Sequence, residues 1–141
     1  MGAVIVTGGA GGLGTAIVAD LRAAGRTVAS FDRVSAPGSS VSFQLDVADE
    51  SAVGARVAEV AERYGGIDAL ICAAGSVAES PVAEMPLDAW RRVIDASLTG
   101  TFVAARPKSS PAASSPFLRA TRRAATATAR TTRRPKRVSR R

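Results

Sequence analysis

The sequence predicts an α/β protein built on a parallel sheet, and three observations lead there. Short β-branched apolar runs recur through the first hundred residues, as in Ala3–Thr7. Longer segments between them repeat apolar side chains every three or four positions. Glycine-rich or aspartate-bearing junctions separate the two kinds of segment. Strands alternating with amphipathic helices imply parallel strands joined by right-handed crossovers.

The first run, Ala3–Thr7, is apolar at consecutive positions, which suits a strand buried on both faces. Leu13, Ile17 and Leu21 then recur at four-residue spacing along one helical face, and Gly25 follows as a carboxyl cap. Residues 27–31 and 41–45 read as the second and third strands. The link between them, residues 33–40, is too short for a helical crossover and is expected to be a plain loop. Glu50–Tyr64 carries Val53, Val57 and Val60 on one face, with Asp49 placed to cap its start and Gly65-Gly66 to end it. Residues 67–73 form a fourth apolar strand. Residues 87–105 carry Leu87, Trp90, Ile94, Leu98 and Phe102 at helical spacing.

The junction Thr7-Gly8-Gly9-Ala10-Gly11-Gly12-Leu13-Gly14 lies between the first strand and the first helix. Glycines there permit a tight turn and let a pyrophosphate reach backbone N–H groups at a helix end of positive partial charge. Asp32 ends the second strand, 18 residues after Gly14. A carboxylate there can accept hydrogen bonds from both hydroxyls of an adenosine ribose. Strand, glycine loop, helix and acidic strand end together define a Rossmann-like, dinucleotide-binding unit.

At these residues the chain resembles the short-chain dehydrogenase/reductase family. Its motif Thr-Gly-x-x-x-Gly-x-Gly is matched by Thr7, Gly8, Gly12 and Gly14, with Leu13 inside it. Asp46-Val47 stands where the family's Asp-Val/Ile pair contacts adenine. Cys72-Ala73-Ala74-Gly75 takes the place of its Asn-Asn-Ala-Gly segment, and residues 93–102 resemble its fourth helix. The resemblance covers residues 1–105 and implies a four-strand sheet in order 3-2-1-4 with helices on both faces. It also implies an NAD(P) crevice between strands 1 and 4, with Thr7, Gly8, Gly12, Leu13, Gly14, Asp32, Asp46, Val47, Ala74 and Gly75 as cofactor contacts. Asp32 would repel the 2′-phosphate of NADP, so NAD is expected over NADP, although Arg33 beside it could attract that phosphate. Cys72 is expected to be a buried strand residue packing as a small hydrophobe.

The same resemblance shows what the chain lacks. The family's chemistry uses a Tyr, a Lys four residues later that lowers the Tyr pKa, a Ser that positions the substrate oxygen, and an Asn on the fourth helix. Here the sole Tyr, Tyr64, is followed at that interval by Asp68. The only lysines are Lys108 and Lys136, no Asn occurs, and Ser97 holds the Asn position. An unassisted phenol, with a pKa of about 10, is a poor base near neutrality. No catalytic residue is therefore assigned, and the chain is expected to be a nucleotide-binding half without turnover of its own. Two alternatives stand: an oxidoreductase completed by another chain or by unrecognised residues, and a non-enzymatic dinucleotide- or nucleic-acid-binding module.

Charge divides the 141 residues at the same place. The formal +7 hides 7 basic and 12 acidic side chains in residues 1–104, against 12 basic and no acidic ones in residues 105–141. All 13 glycines lie in the first part. The second, taken as a tail over residues 106–141, has Phe117, Leu118 and Val138 as its only large apolar residues and is expected to be disordered. A shifted reading frame in GC-rich DNA is the favoured origin of the tail. A basic arm making phosphate contacts with nucleic acid is the second account, and an inert tail the third. With no His and a lone Cys72, a Cys/His zinc site, an intrachain disulfide and a His-dependent hydrolase triad are excluded. No apolar run approaches the roughly 18 residues of a bilayer span and no signal peptide precedes the first strand, so a cytoplasmic protein without membrane contact is expected.

Overall fold

The computed structural model describes residues 1–106. The expectation of a disordered tail, with Lys108 and Lys136 inside it, lies outside the described residues. The chain runs β1 (Ala3–Thr7), α1 (Gly12–Ala23), β2 (Val28–Asp32), β3 (Val41–Gln44), α2 (Glu50–Tyr64), β4 (Ile67–Cys72), a 3-10 turn (Val82–Glu84), α3 (Leu87–Ile94), a π turn (Asp95–Thr99) and α4 (Gly100–Ala105). The four strands form one sheet in the order β3-β2-β1-β4, as expected. Each neighbouring pair is parallel, with Val4 opposite Val28, Ala29 opposite Val41, and Ile5 opposite Leu70. Residues 33–40 form a plain link held by Ser40, which accepts from the Val28 N–H (2.9 Å) and donates its own N–H to the Val28 carbonyl (2.8 Å).

Alternation along β1 divides the core into two layers. Ala3 and Ile5 pack with Ala29, Phe31, Val53, Val60 and Val103 under α2 and α4, while Val4 and Val6 pack with Val28 and Val18 under α1. Every β1 residue is buried, which is why that strand carries no polar alternation. The Phe31 ring meets Phe43 edge to face at 5.7 Å between centroids. Removing a side chain of this size from water stabilises the fold by about 1.5–3 kcal/mol.

Both long helices end on left-handed glycines. Gly25 (φ 74°) donates to the Arg22 carbonyl at 2.9 Å, and Arg26 N–H reaches back to Leu21, while Gly65 (φ 71°) closes α2. At the start of α2, Asp49 accepts from the Ala52 N–H at 2.9 Å, the cap anticipated for it. Val53 and Val60 are buried, and Val57 packs on the same layer.

On α1 the inner face differs from the expected stripe. Leu13 is 69% exposed, whereas Gly14 and Val18 are buried and Ile17 and Leu21 lie half-buried beside them. The helix approaches the sheet through Gly14, whose missing side chain lets its backbone rest on the Gly8 carbonyl, so the inward face runs one residue behind the apolar period.

The α3 to α4 run keeps helical dihedrals throughout, but a π turn over Asp95–Thr99 interrupts its pitch. Gly100 then sits against Val47, where an added Cβ would lie 2.5 Å from Val47 Cγ2. Only Gly100 and Val103 are buried along this run among its described residues. Leu87, Trp90, Leu98 and Phe102, which mark the helix in the sequence, are all more than half exposed. β4 is likewise an edge strand, and Cys72 at its end is exposed rather than buried, because no strand covers its outer side among the described residues. No described helix is long and apolar enough to cross a membrane.

Candidate functional site

The carboxyl ends of β1, β2 and β4 and the loop after β3 converge on one side of the sheet. Thr7, buried at the end of β1, ties two of them together: its carbonyl accepts from Ala73 N–H (3.1 Å) and its hydroxyl from Ala74 N–H (3.3 Å). Gly8 turns there with φ 71°, and a Cβ on it would stand 2.6 Å from the Ala74 nitrogen. Gly14 closes the loop from the other end, where a Cβ would lie 1.9 Å from the Gly8 carbonyl oxygen. Under the loop, a Cβ on Gly9 would collide with Ser30 Oγ at 2.1 Å. The Ser30 hydroxyl is buried and finds no hydrogen-bond partner among the described residues.

Gly12 has a different environment. Beyond its chain neighbours and its own helix backbone, no atom lies within 4 Å of the place where its side chain would begin, so the space there is open. It starts α1, which follows Gly11 without a side-chain cap and has no acidic residue in its first turn. The first-turn N–H groups of such a helix are orphan donors with positive partial charge. Leu13, exposed, contributes backbone here rather than a packed side chain.

Asp32 faces this loop. One carboxylate oxygen accepts from Ala10 N–H at 3.0 Å and the other from Val34 N–H at 3.3 Å. A carboxylate offers about four lone-pair sites, so capacity remains for a ligand's hydroxyls. Asp46 uses one oxygen to accept from Ala48 N–H at 2.9 Å, an Asx-type turn that shapes the entry to α2. Its neighbour Val47 is buried against Gly100.

These residues border an open cleft of about 420 Å³. Its walls are the end of β2 (Phe31, Asp32, Arg33), residues 45–48 after β3, residues 74–76 after β4, and Arg92, Asp95 and Ala96 from the α3 run. Asp32, Asp46, Val47, Ala74 and Gly75 thus share one cleft, whereas Thr7, Gly8, Gly12, Leu13 and Gly14 do not line it and instead form the junction between β1 and α1 that meets Asp32 through the Ala10 N–H. The wall from Arg92 to Ala96 was not anticipated, since nothing in helical spacing distinguishes a residue that lines a cleft from a solvated one. Ser97, one residue further, accepts from the Ser76 N–H at 3.4 Å.

The Cys72 thiol is pushed above its ordinary value by partial burial of its sulfur, which outweighs hydrogen bonds from the Thr101 and Thr7 hydroxyls. It is therefore not an activated thiolate. Tyr64, the last residue of α2, packs half-buried against the core layer of Ile5 and Phe31 and is not among the residues lining the cleft.

A parallel sheet in order 3-2-1-4, a glycine turn feeding an uncapped helix, and a carboxylate at the end of the second strand define a Rossmann-type protein. The model of the short chain dehydrogenase family matches residues 2–110, and the chain belongs to that family. It is 41% identical over 107 residues to a 2-dehydro-3-deoxy-L-rhamnonate dehydrogenase (NAD(+)) of Sphingomonas sp. strain SKA58, covering 70% of this chain and 43% of that one. It is 37% identical over 110 residues to a 2,5-dichloro-2,5-cyclohexadiene-1,4-diol dehydrogenase of Sphingobium indicum, covering 71% and 44%. Among solved structures, ligand-free aldohexose dehydrogenase of Thermoplasma acidophilum superposes with a TM-score of 0.69 at 26% identity, over 74% of this chain and 42% of that one. The chain thus spans less than half the length of the curated relatives it matches.

Proposed function

We propose that residues 1–105 form the dinucleotide-binding half of a short-chain dehydrogenase-type oxidoreductase that takes NAD in preference to NADP. Residues 106–141 follow as a basic segment. The observation that carries the proposal is the pairing of Asp32 with the glycine loop. The Asp32 carboxylate borders the cleft while bonded to Ala10 N–H, and open space lies over Gly12 at the start of α1. That arrangement suits a ligand with a ribose diol at one end and a pyrophosphate at the other. In it, Gly12, Leu13 and Gly14 offer backbone N–H groups to the pyrophosphate and Asp32 accepts from the ribose. Asp46, Val47, Ala74 and Gly75 border the base and its sugar, and Thr7 and Gly8 hold the loop in shape.

The choice of NAD follows from charge. A 2′-phosphate would meet the Asp32 carboxylate and would remove a hydroxyl that Asp32 is placed to bind. One relative carries NAD(+) in its own name, which agrees with that preference. A bound nicotinamide would supply hydride acceptance or donation. The 141-residue chain has no Tyr with a Lys four residues on to move the accompanying proton, so it is proposed to be catalytically incompetent by itself.

The test pairs binding with turnover. Asp32→Ala should weaken NAD at least about tenfold in calorimetry, the scale of losing hydrogen bonds to a charged acceptor. The unaltered chain should show no NAD- or NADP-dependent oxidation of alcohols after rigorous purification. Equal NAD affinity in Asp32→Ala, or clear turnover by the pure chain, would overturn the corresponding half of the proposal.

A further inference from the structure

We propose that Arg92 is the base-stacking residue of the cleft, closing it over the planar adenine ring from the α3 side. The inference rests on the nucleotide reading of that cleft and adds a specific contact to it.

A planar heterocycle in a cleft of this size is held best by a flat group laid against its face. Of the lining residues, Phe31 is fully buried and has no face to offer. The flat groups that remain in the lining are the guanidinia of Arg33 and Arg92. Arg33 adjoins Asp32 at the strand end assigned to the ribose. Arg92 stands on a different wall, one helical turn before Ala96, and shares the cleft with residues 45–48.

Asp88, four residues earlier on α3, engages Arg92 through Nη1 at 2.5 Å. That bond uses an edge of the guanidinium and leaves both its faces free, the geometry in which arginine pairs with a carboxylate and stacks on a ring at once. Held at one edge, the group is partly pre-organised, so less side-chain freedom is lost when a base arrives. An exposed ion pair four residues apart on a helix has a simpler role, adding a little helix stability. The cleft position separates the two: a pair serving the helix alone has no bearing on ligand affinity.

The test uses the full chain in isothermal titration with NAD, adenosine 5′-monophosphate and nicotinamide mononucleotide, alongside thermal unfolding followed by circular dichroism. Arg92→Leu should weaken NAD and the adenosine monophosphate by the same factor, about five- to tenfold, the scale of a stacked cation. Nicotinamide mononucleotide binding and the thermal midpoint should stay unchanged. Arg92→Lys, which keeps the charge and loses the plane, should bind almost as weakly as Arg92→Leu. Asp88→Ala should weaken NAD only about twofold, the result of losing orientation but not the stacking group.

Full affinity in Arg92→Lys would overturn stacking in favour of a point charge. Asp88→Ala and Arg92→Leu with equal losses and equally lowered midpoints would reduce the pair to helix stabilisation. If the unaltered chain is folded but does not saturate with NAD, the nucleotide reading itself fails and the Arg92 assignment with it. Unchanged NAD affinity in Arg92→Leu, with the unaltered chain binding, overturns the Arg92 assignment alone.

Discussion

The two sides of this sheet are finished to different degrees. Around β1 and β2, α1 and α2 bury whole strands: all five β1 residues are buried, as are four of the five in β2. Around β4 the outer edge is open and none of the six residues is fully buried, although the α3 run lies nearby. That run turns Leu87, Trp90, Leu98 and Phe102 outward while burying only Gly100 and Val103. Residues that shape the glycine loop, the Asp32 carboxylate and the sheet order belong to the closed side. Most of the hydrophobic burial that stabilises the domain thus lies on the closed side, whereas the cleft draws its lining from both, with Asp32 and Asp46 on one wall and Ser76, Arg92 and Asp95 on the other. The open side leaves apolar surface uncovered among the described residues.

The sharpest way to break this comparison is to truncate one phenylalanine on each side. Phe31→Ala removes a fully buried ring and should lower the unfolding free energy by about 3–5 kcal/mol. Phe102→Ala removes a ring that is 59% exposed and should change it by about 0.5 kcal/mol or less. Urea denaturation of both variants measures the difference. Similar losses would mean that the α4 side is as tightly packed as β2.

A smaller contrast lies within the glycine loop. Gly14→Ala places a methyl group against the Gly8 carbonyl and should cost about 1–3 kcal/mol of stability. Gly12→Ala meets no protein atom and should leave stability within about 0.5 kcal/mol. It should nonetheless abolish measurable NAD binding if a ligand occupies the space above it. Denaturation combined with calorimetry separates a glycine required by the fold from one required by the ligand.

Much of the closed side was legible in the sequence because each feature there has a local cause. Consecutive β-branched residues mark β1 as buried on both faces, Asp49 caps α2, and Gly25 and Gly65 take the left-handed conformation that ends a helix. The glycine motif and Asp32 fall together because β1 and β2 are parallel neighbours, which the strand and helix alternation implies. What was not legible depends on tertiary approach. Leu13 fits an apolar period but points outward, since Gly14 sets how closely α1 meets the sheet. Cys72 has a strand residue's neighbours but an edge strand's exposure. Arg92 borders the cleft together with residues 74–76 that follow β4, a placement that its spacing does not encode.

The smallest expected effect is on the open side and depends on pH. The Arg92 guanidinium holds the Asp88 carboxyl below its ordinary value, chiefly through their hydrogen bond and then through charge. A depressed carboxylate pKa contributes stability above the unfolded value, and that contribution is lost as pH falls through the lower folded one. Far-ultraviolet circular dichroism should therefore show slightly more helix in the unaltered chain than in Asp88→Asn at neutral pH. The difference should shrink as pH falls below the ordinary carboxylate range and vanish once the lowered Asp88 value is passed. A difference that persisted in acid would remove the ion pair as its cause.

The central proposal is that the cleft beside Asp32 is an NAD site. Isothermal titration of the folded 141-residue chain with NAD and with NADP tests it most directly. Saturable one-to-one binding of NAD, tighter than that of NADP and weakened by Asp32→Ala, is the predicted result; a folded chain that binds neither, or that prefers NADP, would contradict it.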